Sequence, residues 1–166
     1  MSRIVVSDTT AITHLAKIGE LDILQKLYME ILIPEAVYTE LTQVKKTQPG
    51  ALLVLNSKWI KVVKIKNRAV VTKLSKHLDL GESEAIALSI ELQSDVLIMD
   101  EVAGRNIAKK LGRNIIGMVG ILLEAKKKGY IVSVRPYLDK LRATGFRLGE
   151  EIYQLALKIS QESQVN

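Results

Sequence analysis

Asp8 and Asp100 each end a short apolar run, Ile4, Val5 and Val6 in the first case and Val96, Leu97, Ile98 and Met99 in the second. Unbroken runs rich in β-branched residues suit strands covered on both faces, as in a parallel sheet flanked by helices. In open α/β sheets, ligands bind outside the carboxyl ends of the strands. Two neighbouring strands that both end in Asp would therefore place two carboxylates in one crevice, and the chemistry this suggests is metal ligation. Asp8 also precedes Thr9, Thr10 and a helical stretch, so it is equally suited to cap that helix.

Two glutamates extend the pattern. In Glu35 to Val44 the apolar residues Ala36, Val37, Leu41 and Val44 share one helical face, and Glu40 completes that stripe. It is either a functional carboxylate or a side chain reaching out at the rim. In the stretch LDLGESEAIALSIEL, Asp79 and Gly81 are expected to close a loop and Glu82 to begin a helix apolar over most of its circumference. The helical period sets Glu82 over Ala85, Ile86 and Ser89, and Glu84 over Leu88 and Glu91. Glu82 is thus expected to face the crevice and Glu84 to look outward, although either acid would be comfortable in a first helical turn.

Cations are concentrated elsewhere. From Leu41 to Leu78 the chain carries no acid but has nine lysines and arginines, among them Lys45, Lys46, Lys61 and Lys64. Such residues either contact phosphates or, in the strand expected over Trp59 to Ile65, blunt an exposed sheet edge. One Trp and no aromatic interleaving speak for backbone contact rather than base stacking. Arg105 follows Glu101 by one helical turn, so a local ion pair and a phosphate contact are its two readings.

The elements that must position these residues alternate strand and helix. Strands are expected at Ile4–Val6, Glu30–Ile33, Trp59–Ile65, Val96–Met99 and Asn114–Ile116. Helices are expected after each of the first two, from Glu82, over Glu101 to Leu111 and Met118 to Lys128, and twice between Ser133 and Gln161, with a tail from Gln161 that frays. With 166 residues, 48% hydrophobic and 25% charged, the chain is long enough for one domain with a real core. A net charge of +6 favours an anionic partner such as nucleic acid. The absence of cysteine excludes disulfides and thiol chemistry, and two histidines are too few for a histidine-rich metal site. No stretch suits a secretory signal or a membrane span, which gives the expectation of a soluble, cytoplasmic protein.

Taken together, SDTT, PEAVYTEL, LDLGESEAIAL, LIMDEVAGRNIAKKLG and IIGMVGILLEAKKKG resemble the PIN-domain superfamily, in particular small prokaryotic proteins related to VapC-type toxins. The resemblance runs from Arg3 to about Ile131. It implies a three-layer α/β/α fold with a mainly parallel central sheet in a single domain, with 133–166 as a C-terminal helical extension. It also implies Mg2+- or Mn2+-dependent cleavage of RNA. Carried over residue by residue, the catalytic and metal-binding acids are Asp8, Glu40, Glu82 and Asp100, with Asp8 and Asp100 as direct ligands. Thr9, Thr10, Arg105, Lys45 and Lys46 are the expected substrate contacts. An antitoxin protein and a second copy of the chain are the implied protein partners. Many toxins of the superfamily have Asp where Glu82 stands, and a hydroxyl residue near the last strand where this chain has Gly117 and Met118.

Two other classes stay open. A non-catalytic PIN-like module would bind RNA or a protein through the same surface, though it gains nothing from crowded acids. Two carboxylates about 4 Å apart repel by roughly 4 kcal/mol at an effective dielectric of 20. A phosphotransferase of the haloacid-dehalogenase type also has an Asp after its first strand, but normally a second Asp two residues on, where Thr10 stands here.

Overall fold

The computed structural model describes residues 3–43 and 49–163. Five strands form one all-parallel sheet: β1 (Val5–Ser7), β2 (Ile31–Pro34), β3 (Ile60–Val63), β4 (Val96–Ile98) and β5 (Ile115–Ile116), in the order β3-β2-β1-β4-β5. Parallel neighbours require crossovers, and helices supply them. Between β1 and β2 lie α1 (Thr9–Lys17) and α2 (Asp22–Tyr28); between β2 and β3 lie α3 (Glu35–Gln43) and α4 (Pro49–Asn56). The connection from β3 to β4 carries α5 (Arg68–Leu74) and α6 (Leu80–Leu92), and α7 (Val102–Lys110) joins β4 to β5. The chain closes with α8 (Met118–Lys127), α9 (Arg135–Ala143) and α10 (Glu150–Ile159).

Alternation along the strands builds the three layers. Val5, Ile31, Ile33, Val96 and Ile98 face one way, into a core shared with α1, α2, α8, α9 and α10. Val6, Leu97 and Met99 face the other, against α5, α6 and Ala108 of α7. Both faces are covered, which is why the strands read as continuous apolar runs. Gly19, at φ +74°, ends α1 in the left-handed region that glycine adopts without a Cβ penalty. No helix among the described residues is long and apolar enough to cross a membrane.

The strand pattern expected from sequence is present, with two differences among the helices. Gly81 lies inside α6, because Asp79 caps that helix from one residue before its start. Helix α5 has no counterpart in the sequence reading: Asn67 caps it, its side chain accepting from Val70 N–H, and Val71 and Leu74 bury against the sheet. The C-terminal helices belong to the main core, through Val134, Leu138, Leu141, Tyr153, Ala156 and Leu157.

Of the tail expected to fray from Gln161, 164–166 lie outside the described residues, while Glu162 is held in place. Glu162 accepts from the N–H groups of Val134 and Arg135 at the start of α9 and from Lys126 Nζ. Burial alone would raise its pKa, but these donors bring it down to about 2. The long basic strand also shortens to β3, at the edge of the sheet, where Lys61 pairs with Glu30 at 2.7 Å. Val44, Lys45 and Lys46 lie outside the described residues.

Candidate active site

The strand order reverses between β1 and β4: β2 and β3 lie to one side of β1, β4 and β5 to the other. Val6 is level with Leu97 and Ser7 with Ile98, so Asp8 and Asp100 both leave the sheet at its carboxyl edge from adjacent strands. Asp8 N–H donates to the carbonyl of Ile98 at 3.0 Å, continuing the ladder one residue past the strand. The two acids therefore come off neighbouring strands at the switch point, the place where α/β sheets bind ligands.

Asp8 is 4% exposed. Its Oδ1 accepts from Thr9 N–H at 2.7 Å, so it caps α1 while standing in the crevice. Burial, above all, and the nearby carboxylates of Glu82, Asp79 and Glu40 push it up to about 7. Asp100 is likewise raised, first by burial, against the lowering effects of Met118 N–H and Arg105. Its Oδ1 accepts from Met118 N–H at 2.9 Å, and its Oδ2 is buried with no partner among the described residues. An orphaned, buried carboxylate oxygen is the kind of atom a cation satisfies.

Glu40 enters from the neighbouring helix. Ala36, Val37 and Leu41 of α3 bury, as their spacing requires, whereas Glu40 is exposed and does not join the apolar stripe. It reaches out at the rim, accepts from Thr9 Oγ1, and lies against Gly81 of α6. Thr9 thus connects the helix that Asp8 caps with the carboxylate of α3. Thr10, in the first turn of α1, is half-buried, and no contact brings it to the acids.

Glu82 occupies a capping box: its carboxylate accepts from Asp79 N–H at 3.3 Å while Asp79 Oδ1 accepts from Glu82 N–H at 2.8 Å. Burial and then Asp79 raise its pKa, with Glu101 and Glu40 adding to the effect. Glu82 therefore shares the field of the other acids, but its oxygens are held at the helix start. The Asp-x-x-Glu spacing of Asp79 and Glu82 is a legible capping signature that the sequence reading passed over.

Glu84 corrects the helix-face argument. It is 4% exposed, against 9% for Glu82, and looks inward. Its Oε1 accepts from Ala36 N–H at 3.3 Å and its Oε2 lies 3.5 Å from Arg68 Nη1. Because α3 and α5 cover α6 on the sides away from the sheet, every residue from Gly81 to Ser89 is buried and no solvent face exists to take an acid. Glu84 instead satisfies a free N–H at the start of α3, the helix that carries Glu40.

Arg105 makes no side-chain pair with Glu101; its Nη1 donates to the carbonyl of Met99 at 3.2 Å. It stands beside Asp100 and over Gly117, where a Cβ would come within 2.6 Å of Nη1 and 2.8 Å of Asp100 Oδ1. Glycine at the position where many toxins carry a hydroxyl residue nearby leaves room for that arginine.

As the side chains stand, no three acids or histidines among the described residues converge closely enough to hold an ion. The reason is visible in their partners. Glu82 is turned to Asp79, Glu40 to Thr9, and one oxygen each of Asp8 and Asp100 to backbone N–H groups. The donor set itself is all oxygen, which suits a hard divalent cation.

A profile of the DUF3368 family of PIN domains matches residues 4–162, extending about thirty residues beyond the stretch in which the sequence showed the resemblance and taking in α9 and α10. No relative among curated proteins matches the chain.

Proposed function

Because this chain belongs to the PIN-domain family, whose members are generally nucleases, we propose that it is a divalent-metal-dependent endoribonuclease. The observation that carries the reading is the pairing of β1 with β4, which brings Asp8 and Asp100 to one edge with Asp100 Oδ2 unpartnered and Asp8 raised to about 7. Buried acids are costly to ionise, and functional sites are where such groups cluster.

Asp8 and Asp100 would hold Mg2+ or Mn2+, which when bound supplies an activated water and compensates charge on the leaving oxygen of a phosphodiester. Glu40, on the exposed rim, and Glu82, once released from its cap, would orient that water. Thr9 donates to Glu40, and Arg105, standing beside Asp100, would meet a substrate phosphate. Lys45 and Lys46, outside the described residues, are proposed as further phosphate contacts on the strength of the sequence alone. A role as the toxin of a toxin–antitoxin pair, acting on cytoplasmic RNA and restrained by an antitoxin, follows from the resemblance to VapC-type proteins. A homodimer belongs to the same reading.

One observation favours the alternative of a non-catalytic RNA-binding or protein-interaction module: the commitment of Glu82 to the capping box. Cleavage of labelled RNA with and without Mn2+ separates the two. Wild type should cut only with metal, and millimolar Mn2+ should raise its Tm, since a ligand of the folded state stabilises it. Asp8→Asn and Asp100→Asn should abolish cleavage and shrink the Tm shift. A wild type that neither cuts nor responds to metal rejects the catalytic reading.

A further inference from the structure

Beyond the acids, the carboxyl edge of β4 and β5 opens into a cleft of about 530 Å³ that runs from Asp100 to the segment joining α9 to α10. This volume lies in the range of small-ligand sites. Its wall is mixed. Arg105 enters from α7 and Arg147 from the α9–α10 connection, while Val119, Phe146 and Ile152 supply apolar surface. Neither arginine forms an ion pair with a carboxylate within 4.0 Å among the described residues, whereas the neighbouring Arg142 is engaged by Glu150 at 3.0 Å. Arg147 is exposed.

Resting on the ribonuclease reading, we propose that this cleft is a nucleotide subsite, taking the RNA residue next to the scissile phosphate, with Arg147 on its phosphate and its base against the apolar wall. Carboxylates crowded at the sheet edge repel a polyanion, so a strand that passes them needs cations within the same groove. Arginine's planar fork suits phosphate, and its face also suits a base. A nucleotide presents the same two surfaces as the cleft, one anionic and one flat and apolar. The subsite also assigns a role to the C-terminal helices: α9 and α10 position the connection that carries Phe146 and Arg147. Arg147 is then a specificity and positioning residue that the acids alone do not reveal.

The test is equilibrium binding of a fluorescein-labelled ten-nucleotide single-stranded RNA to the full chain, read by anisotropy in metal-free buffer. Arg147→Glu should weaken binding at least tenfold and Val119→Trp, which fills the cleft, about fivefold or more. Lys128→Glu, the same charge change at an exposed position at the end of α8 away from the cleft, should change it less than twofold. Wild-type chain that binds no RNA, a cleft variant that binds like wild type, or a Lys128 variant as weak as the Arg147 variant each overturns the subsite. Cleavage with Mn2+ is scored separately. RNA bound through the cleft but never cut sinks the nuclease reading alone, whereas RNA cut normally by both cleft variants with unchanged binding sinks the subsite alone.

Discussion

Gly81 of α6 and Glu40 of α3 are in contact: a Cβ built on Gly81 would lie 2.9 Å from both Cδ and Oε2 of Glu40. The carboxylate can rest against α6 only because that helix has no side chain at this position. In an ordinary helix interior, glycine costs about 1 kcal/mol relative to alanine, so the contact is maintained against local propensity.

Gly81→Ala should therefore separate stability from function. Glu40 is exposed at the rim and can swing away, so the variant should be as stable as wild type or more stable by up to about 1 kcal/mol. The displaced carboxylate should weaken Mn2+ binding and lower cleavage severalfold. Denaturant unfolding and Mn2+ titration of the same preparation measure both, and loss of stability with metal affinity unchanged would show that Glu40 does not need its place.

The metal-free protein should become less stable as pH rises. Asp8 is raised from 3.8 to about 7, so between these values the folded state holds a proton that the unfolded state has released. By linkage, stability then falls with increasing pH, by a total on the order of 4 kcal/mol for a shift of this size. Thermal unfolding in EDTA from pH 4 to pH 8 should show this decline, and Asp8→Asn should remove most of it. Mn2+ should matter more at pH 8 than at pH 5, because ligands must be deprotonated. A flat profile in wild type would contradict the burial of an unpaired acid.

Glu84 should matter for stability, contrary to the outward place the helix period gives it, while Glu82 should matter for cleavage. Glu84→Ala leaves Ala36 N–H without its acceptor and removes the partner of Arg68, at a cost of about 2 kcal/mol or more. Glu84→Gln retains an acceptor and should cost less. Cleavage by the Gln variant, measured well below its Tm, should stay near wild type, since Glu84 meets no acid of the crevice. Glu82→Gln should lower cleavage with little loss of stability, because a Gln oxygen still accepts from Asp79 N–H.

Glu162 should make the C-terminal helices acid-sensitive. Its pKa is lowered to about 2, so its contribution is complete above the ordinary glutamate value near 4.3 and is lost as pH falls toward 2. Glu162→Gln should abolish that part of the acid dependence and cost about 1–3 kcal/mol at pH 7 through the weakened bonds to Val134, Arg135 and Lys126. Acid titration of both proteins by circular dichroism tests this, and superimposable curves would refute it.

The sequence by itself determined the sheet and its acids. Two apolar runs that end in Asp8 and Asp100 are local signals, and strands buried on both faces produce them wherever a parallel sheet is covered by helices. The order of strands and helices followed from the same runs and from breakers such as Gly19, Gly129 and Gly145. What only the tertiary structure decided was which side of each helix had a neighbour. Helix α6 is enclosed by the sheet, α3 and α5. Its period therefore could not assign Glu84 to solvent, and a carboxylate in its interior had to find Ala36 N–H and Arg68 instead. The exposure of Glu40, the place of Arg105 over Gly117, and the cleft reached by Arg147 also depend on segments far apart in the chain. Periodicity reports the environment of a segment only when one face meets water, whereas the polar contacts of this site are made between elements, with no fixed spacing along the sequence.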